Sequence, residues 1–427
     1  MSPGDAPTRQ FRGSPLAPIG FYVHHEGRGH ANRALLLARS LRRPTTLFTS
    51  RPDYVRSVAS ALPDCEVIGL PHDLYGDSPE AYAQSLSPAG PTLHYAPLQV
   101  EGIRQRMGRL AAWIVGHRPA LMVVDVSVEV ATLCRLLSVP TVVVRLQGWR
   151  DDLAHQATFA HARAILCPFH EAFELYRLPD PLQRKTYYTG AYSRFGGSDT
   201  CPSPRRHDVG VEGGLRIVVM VSPGATQRRL AELRSLAEAV PAAKVIALGF
   251  EPASALELPA NLEVRGFEAN PWTLLREADV VVAGAGTSTV MEVGAARRPL
   301  VCIPERRAFD EQRNKAFGLA RAGVAVAVQH WPSAARWPAV ISRALGLRPE
   351  LWTGYFRDPD LSAAAAYLES LARESDPTHE TREARQFPAP TLAESPPIVE
   401  QGGGEFGFGG EAQERQLLGV GLPVDEA

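Results

Sequence analysis

The densest set of potentially reactive side chains in this sequence lies between residues 278 and 316. The apolar run Asp279–Ala283 leads into a glycine-rich turn, a group of hydroxyl side chains and then a helical pattern. This order predicts a strand that ends at a helix N-terminus, where unpaired backbone N–H groups and the helix dipole attract an anion. The phosphate-binding candidates at this turn are Gly284, Gly286, Thr287, Ser288 and Thr289.

A carboxylate and an amide follow at positions where they could bind the rest of a nucleotide sugar. Glu292 lies one turn further along the predicted helix, where it could accept hydrogen bonds from a ribose diol. A second strand ends at Pro304, and Asp310, Glu311 and Gln312 begin the next helix. The helix dipole alone would explain the two acids, whereas it does not explain Gln312, which is the better ligand candidate.

A further phosphate contact is predicted after the strand over 217–221. Ser222 and Gly224 follow this strand, next to the site already described. The alternative is a simple turn in which Thr226 caps the next helix.

The loop after the first predicted strand reads HHEGRGH over residues 24–30. Its glycines would let the backbone approach a ligand at the N-terminus of the next helix. A dinucleotide fingerprint is disfavoured, because Asn32 occupies the third glycine position. A zinc site is also disfavoured, because His25, Glu26 and His30 would not share one helical face. The alternative to a ligand site is a tight turn with histidines facing solvent.

Asp125 ends the apolar strand LMVVD and is a candidate general base, or a residue that orients a histidine. The alternative is that Asp125 or Ser127 caps the helix that begins near Val128. The sequence leaves these two interpretations open.

Composition limits the classes of function. The chain has 427 residues, of which 45% are hydrophobic, as in globular proteins. Its net charge of −1 argues against a nucleic-acid-binding protein. Its five cysteines have no zinc-ligand spacing and are expected to be reduced thiols. We see no signal-peptide core and no run of about 18 apolar residues that could span a bilayer. A cytoplasmic protein is predicted, and contact with the inner face of a membrane is left open.

Alternating strand and helix patterns predict an α/β protein with two Rossmann-like domains. The predicted organisation is a disordered N-terminus over 1–17, a first domain over 18–195, a linker over 196–214, a second domain with terminal helices over 215–373, and a disordered tail over 374–427. We leave open whether a C-terminal helix crosses back to the first domain.

The second half of the chain resembles the C-terminal domain of family 28 glycosyltransferases, which include the enzyme that adds N-acetylglucosamine to lipid I in peptidoglycan synthesis. The resemblance is clearest over 278–330. It rests on an ordered set of residues: Asp279, Ala285, Gly286, Thr289, Glu292, Pro299, Pro304, Asp310, Glu311 and Gln312.

This resemblance implies the GT-B fold, with two domains facing a cleft, and it implies roles for individual residues. Glu292 would bind the ribose hydroxyls, and Gln312 would contact the donor sugar. Arg194, in a segment similar to the family's hinge, would approach the diphosphate. The first loop is similar to the family's acceptor loop, which assigns His25, Gly27, Arg28 and Gly29 to acceptor binding.

The implied function is transfer of a sugar from a nucleotide diphosphosugar, UDP-linked as in UDP-N-acetylglucosamine, to an acceptor hydroxyl with inversion. His30 or Asp125 would be the base, and neither a metal nor another cofactor is required. The expected partners are a sugar nucleotide and a lipid-linked or small-molecule acceptor. The alternatives are a nucleotide-sugar 2-epimerase and a non-catalytic nucleotide-sugar-binding protein.

The chain departs from the family pattern at several positions. His25 and Glu26 stand where the family has glycines, which argues for an acceptor other than lipid I. Arg297 stands where a glycine is usual, and Lys315 occupies the position where an asparagine is expected.

Overall fold

The computed structural model describes residues 16–25, 28–59, 65–73, 90–196, 214–220, 227–250, 257–356 and 360–376. Most of the predicted N-terminus, linker and tail therefore lies outside the described residues. The predicted ligands Gly27, Ser222 and Gly224 lie outside them as well.

The first lobe is built on a parallel seven-stranded sheet in the order β3-β2-β1-β4-β5-β6-β7. Its strands are β1 (Ile19–Tyr22), β2 (Thr45–Thr49), β3 (Cys65–Gly69), β4 (Leu121–Asp125), β5 (Thr141–Val144), β6 (Ala164–Cys167) and β7 (Thr186–Tyr188).

The second lobe is built on a parallel six-stranded sheet in the order β10-β9-β8-β11-β12-β13. Its strands are β8 (Arg216–Met220), β9 (Lys244–Leu248), β10 (Leu262–Arg265), β11 (Val280–Ala283), β12 (Leu300–Cys302) and β13 (Ala325–Ala327). The two parallel sheets confirm the predicted α/β class with two Rossmann-like lobes.

Helices cover both sheets. Those of the first half are α1 (Arg28–Ser40), α2 (Pro52–Ala59), α3 (Glu101–His117), α4 (Val128–Leu136), α5 (Leu153–His161) and α6 (Asp180–Gln183). Those of the second half are α7 (Gln227–Ala239), α8 (Trp272–Glu277), α9 (Thr287–Ala295), α10 (Glu311–Arg321), α11 (Trp337–Leu345), α12 (Leu351–Tyr355) and α13 (Asp360–Glu374). None of the described helices is long and apolar enough to cross a membrane.

Local sequence explains why these elements form. Every residue of β4 is buried, as expected for a central strand of a parallel sheet that is covered on both faces. Helix α1 buries Ala31, Ala34, Leu35 and Ala38, which recur at the helical spacing of three and four residues. The apolar stripe of α1 fixes which of its side chains face the sheet and which face the cleft.

The last described helix, α13, returns to the first lobe. Leu368 and Leu371 of α13 join the same apolar cluster as β1 and β2. The backbone N–H of Arg42 donates to a Glu369 carboxylate oxygen at 2.8 Å, and the Arg43 side chain donates to Asp376 at 2.5 Å. By its packing α13 therefore belongs to the first lobe, although it follows the second lobe in sequence.

The sheet order determines where a ligand would bind. In the first lobe β1 pairs with β2 on one side and with β4 on the other, so the chain reverses its direction of winding between β1 and β4. The equivalent point in the second lobe lies between β8 and β11. Ligands of open parallel sheets bind at the carboxyl ends of strands at such a switch point. His24 and Asp125 lie there in the first lobe, and Gly284 lies there in the second.

Candidate functional site

His30 and Asp125 meet at the carboxyl edge of the first sheet. The Nδ1 atom of His30 lies 2.6 Å from Oδ2 of Asp125. Arg33, one turn further along α1, donates from Nη2 to Oδ1 and Oδ2 of the same carboxylate at 3.0 and 3.1 Å. Because an ionised carboxylate only accepts hydrogen bonds, Nδ1 of His30 carries a proton that it donates to Asp125.

Burial and neighbouring charged groups determine the protonation states of Asp125 and of the adjacent His24. Burial alone would raise the pKa of Asp125, but the Arg33 guanidinium and the His30 imidazole hold that pKa well below its usual range. Burial and the neighbouring His30 and His25 lower the pKa of His24 from 6.5 to about 4. At neutral pH Asp125 is therefore an anion and His24 is neutral.

The structure decides between the two interpretations of Asp125 that the sequence left open. Ser127 caps α4, since its hydroxyl accepts a hydrogen bond from the backbone N–H of Val130 at 3.3 Å. Val126, between them, has a left-handed backbone with φ of 52°. Asp125 is thus free of the cap and turns toward α1.

The N-termini of two helices, one from each lobe, face each other across the cleft. Gly286 is the N-cap of α9 and has no side chain with which to cap that helix end. Gly29, in the first turn of α1, lies so close to α9 that a Cβ atom there would be 3.2 Å from the Ser288 hydroxyl. Because both helix ends are partially positive, an anion placed between them would be favoured by both.

A buried lysine lies behind the start of α9. Lys315 is 1% exposed, and its ammonium group donates to the Thr287 hydroxyl at 2.6 Å and to Glu311 at 3.2 Å. Burial lowers the pKa of Lys315, and Glu311 opposes that shift. Nζ of Lys315 therefore links the two predicted donor ligands Thr287 and Glu311 through hydrogen bonds.

Gln312 supports the glycine-rich turn through its side-chain carbonyl. Its Oε1 atom accepts hydrogen bonds from the backbone N–H groups of Ala285 and Glu305, both at 3.0 Å. A Cβ atom at Gly284 would lie 3.5 Å from Oε1, an ordinary van der Waals contact, so this approach does not itself require a glycine. Only the Nε2 amide group of Gln312 is left to contact a ligand.

Arg194 and Glu292 form an ion pair between the lobes. Nε of Arg194 donates to Oε1 of Glu292 at 2.9 Å, and Nη1 donates to the Ala269 carbonyl at 2.7 Å. Glu292 is 6% exposed, and burial raises its pKa while Arg194 lowers it. The predicted ribose ligand and the predicted diphosphate ligand are thus direct neighbours.

Two further predicted ligands of the first loop are His25, which lines the cleft described below, and Arg28, which contacts the second lobe. The Arg28 guanidinium lies 4.1 Å from the ring centroid of Phe267 in the second lobe. Nε2 of His25 lies 3.6 Å from Asp73. Arg28 therefore covers Phe267, an aromatic side chain on which a base could otherwise stack.

A cleft of about 490 Å³ runs between the lobes. Gly29, His30 and Arg33 line it from the first lobe, and Gly286, Thr287 and Gln312 line it from the second. Arg194, Ser288 and Glu292 line a smaller neighbouring pocket that also reaches Gly29 and Thr287. Within the described ranges, no cluster of three or more histidine, cysteine or acidic side chains could hold a metal ion.

Part of the second lobe is similar to a known family of proteins. Residues 250–332 match the family model of the glycosyltransferase family 28 C-terminal domain. This segment is similar to the C-terminal domain of family 28 glycosyltransferases. The resemblance predicted over 278–330 is therefore confirmed.

Two curated relatives share shorter stretches with the chain. An uncharacterized glycosyltransferase of Methanosarcina acetivorans is 36% identical over 75 residues, which are 18% of this chain and 19% of the relative. One of Methanosarcina mazei is 30% identical over 125 residues, 28% of this chain and 33% of the relative. The chain thus spans a third or less of the length of these two relatives.

Solved glycosyltransferases share the whole architecture. Acinetobacter baumannii MurG has a TM-score of 0.57 at 15% identity, covering 83% of this chain and 99% of MurG. The kitacinnamycin glycotransferase has a TM-score of 0.57 at 17% identity, covering 83% and 99%. Phytolacca americana UGT2, complexed with UDP-2fluoro-glucose and pterostilbene, has a TM-score of 0.55 at 14% identity, covering 84% and 94%. These likenesses show that the fold is GT-B, as predicted.

The structure also brings to the candidate site residues that the sequence did not indicate. Arg33 could have been found, because it lies three residues after His30 and so on the same helical face. His94, His155 and Phe309 could not, since their rings converge from separate elements, with centroids 4.8 to 5.3 Å apart.

Proposed function

We propose that this protein is a glycosyltransferase that moves a sugar from a nucleotide diphosphosugar to an acceptor hydroxyl. One observation supports this most: His30, held by Asp125, lines the same cleft as Thr287 at the start of α9. A base from one lobe opposite an anion-binding helix end from the other suits a displacement with inversion at the anomeric carbon.

His30 is proposed as the general base. Its Nδ1–H group donates to Asp125, which leaves the Nε2 lone pair for the proton of the acceptor hydroxyl. The acceptor oxygen bonds to the anomeric carbon as the bond to the diphosphate breaks. Asp125 stabilises the resulting imidazolium and holds the ring in place, so it acts as a positioning residue.

The departing diphosphate would be held at the facing helix ends. The backbone N–H groups of Thr287 and Ser288 present partial positive charge, and Nζ of Lys315 donates a hydrogen bond to the Thr287 hydroxyl from behind. These groups would stabilise the leaving group without a metal ion.

The donor is proposed to be UDP-linked, with UDP-N-acetylglucosamine as one candidate sugar. Glu292 would accept hydrogen bonds from the ribose, with Arg194 moving from Glu292 toward the diphosphate. Support for UDP comes from the UGT2 structure, whose complex contains UDP-2fluoro-glucose. The acceptor is a lipid-linked or small-molecule alcohol.

Two variants test the assignment by affecting opposite halves of the reaction. Asp125→Asn should lower kcat by about 10²–10⁴-fold and leave the Kd for UDP nearly unchanged, because Asp125 positions the base and is not among the proposed UDP ligands. Glu292→Ala should weaken UDP binding about tenfold, because the ribose loses its acceptor. Turnover is measured with a panel of UDP-sugars and candidate acceptors, and UDP binding by calorimetry.

The controls separate the alternatives. Incubation of the UDP-sugar alone would reveal epimer formation, which would contradict transfer. If His30→Ala and Asp125→Asn both turn over at the wild-type rate, the proposed base is wrong. If UDP binds equally well to wild type and Glu292→Ala, the donor site lies elsewhere.

A further inference from the structure

The loop after β5 carries two buried polar side chains with unused hydrogen-bonding atoms. Arg150 is 6% exposed and Gln147 is 1% exposed. Nη1 of Arg150 and both amide atoms of Gln147 are buried, and none has a hydrogen-bond partner in the described part of the chain. Native proteins rarely leave buried polar groups unsatisfied, so several of them in one loop call for an explanation, of which a ligand is one.

Arg150 lines the interlobe cleft. Its guanidinium lies 4.8 Å from the ring centroid of Phe309, which comes from the second lobe. Burial and the neighbouring Arg145 lower the pKa of Arg150, and the carboxylates of Glu311, Asp152 and Asp125 oppose that shift. Among the described residues, none of these carboxylates accepts a hydrogen bond from Arg150. Glu311 is instead paired with Lys315.

The position of Arg150 separates it from the nucleotide end of the site. Arg194 and Glu292 line the smaller pocket, and Arg150 does not. Arg150 shares its part of the cleft with Phe309 and His155, whose rings are 4.8 Å apart. A ligand whose ribose is at Glu292 and whose diphosphate is at Thr287 would therefore place its sugar and the acceptor nearer to Arg150.

We infer that Arg150 binds an anionic group, a carboxylate or a phosphate, carried by the acceptor or by the transferred sugar. This inference rests on the proposed transferase function and specifies the chemistry of its substrates. A planar guanidinium with a free, desolvated N–H edge suits an oxyanion better than a neutral hydroxyl, because a buried charge needs an opposite charge and a hydrogen bond.

Matched ligand pairs test this inference. For the donor, the Kd values of UDP-glucose and UDP-glucuronate are compared by calorimetry. For the acceptor, methyl glucoside is compared with methyl glucuronide, and glucose with glucose 6-phosphate, by NMR titration of the UDP-bound protein. The anionic member of at least one pair should bind about 10- to 100-fold more tightly. The pair that shows the preference identifies which substrate carries the anion.

The variant Arg150→Gln should reduce that preference to threefold or less while UDP binds as in wild type, which also shows that the variant is folded. Arg150→Lys should retain part of the preference, because it keeps the charge but loses the planar fork. Arg307→Gln is the matched control, since Arg307 also lines the cleft but already donates to Glu305 at 2.8 Å.

The outcomes distinguish the inference from the function on which it rests. If UDP binds but no pair shows a preference above threefold, or if the preference survives in Arg150→Gln, the anion site is wrong and the transferase proposal stands. If wild type does not bind UDP, the proposed function fails, and the inference fails with it.

Discussion

At the scale of single residues, the site depends on one buried carboxylate shared by two donors. Asp125 is 5% exposed, and both His30 and Arg33 hydrogen bond to it. A buried carboxylate needs such partners, because an unpaired charge in the interior is costly. The same contacts orient the His30 ring toward the cleft, so stability and proposed chemistry use the same residues.

His24 makes the stability of the protein depend on pH. Its folded pKa of about 4 lies below its ordinary value of 6.5, so between these values the unfolded chain binds a proton that the folded chain does not. Stability therefore falls as pH falls through this window. Between pH 7.5 and pH 4.5, the free energy of unfolding should therefore fall by about 2–3 kcal/mol less in His24→Gln than in wild type.

Urea unfolding at pH 4.5, 5.5, 6.5 and 7.5 measures this difference. His161→Gln removes an exposed histidine at the end of α5 and is the matched control. Parallel pH curves for wild type and His24→Gln would show that His24 is not kept neutral by its surroundings.

At the scale of elements, a residue that follows the end of α9 has a backbone conformation that favours glycine. Arg297, just after α9, has φ of 52°, and its N–H group donates to the Gly294 carbonyl at 2.9 Å. A left-handed residue at this position is a common helix end, and a side chain there costs about 1 kcal/mol. Arg297, which stands where the family usually has a glycine, therefore introduces a local strain in the backbone.

We expect Arg297→Gly to increase the free energy of unfolding by about 1 kcal/mol, because glycine removes this strain. Arg343→Gly is the control, because Arg343 is exposed within α11, where glycine should cost about 1 kcal/mol. Both values come from urea unfolding at one pH. A destabilised Arg297→Gly would mean that the arginine side chain makes a contact worth more than the strain.

At the scale of the whole molecule, the two lobes meet at a glycine. Gly148 has φ of 113°, and a Cβ atom there would lie 2.5 Å from the Phe309 carbonyl oxygen of the other lobe. The next N–H group, that of Trp149, donates to the same oxygen at 3.0 Å. Phe309 itself has a left-handed backbone, with φ of 60°. This contact positions Arg150 of the first lobe beside Phe309 and Glu311 of the second.

Gly148→Ala should therefore push the lobes apart at the sugar end of the cleft. We expect kcat/KM to fall at least tenfold, because about 1 Å of misplacement is enough to lose much of the benefit of positioning. The Kd for UDP should change less than threefold, since its proposed ligands lie mainly in the second lobe. Transfer kinetics and calorimetry measure the two effects separately.

Gly116→Ala is the matched control for this variant. Gly116 lies in α3, and a Cβ atom there would meet nothing within 4 Å. The control should keep full activity and gain stability of up to about 1 kcal/mol. Equal kcat/KM for both alanine variants would show that the Gly148 contact does not control the geometry of the cleft.

The sequence by itself determined the parallel sheets and the edge at which the site lies. Apolar strands such as β4 and β11, alternating with helices, leave little choice of architecture, because the periodicity of burial is a local property. In parallel sheets the strand ends share one edge, so His30 and Asp125 could be predicted to lie near each other. The ordered set from Asp279 to Gln312 was specific enough to predict the similarity to family 28 that the family model finds over residues 250–332.

Only the tertiary structure decided the partners of the charged groups. The pairs Lys315 with Thr287 and Arg194 with Glu292 join residues 28 and 98 positions apart, and the unused hydrogen-bonding edge of Arg150 depends on the close contact between the lobes. The return of α13 to the first lobe likewise depends on how distant segments pack against each other. Hydrogen bonds and ion pairs act over a few ångströms, so they depend on how distant segments pack, which no local pattern of residues encodes.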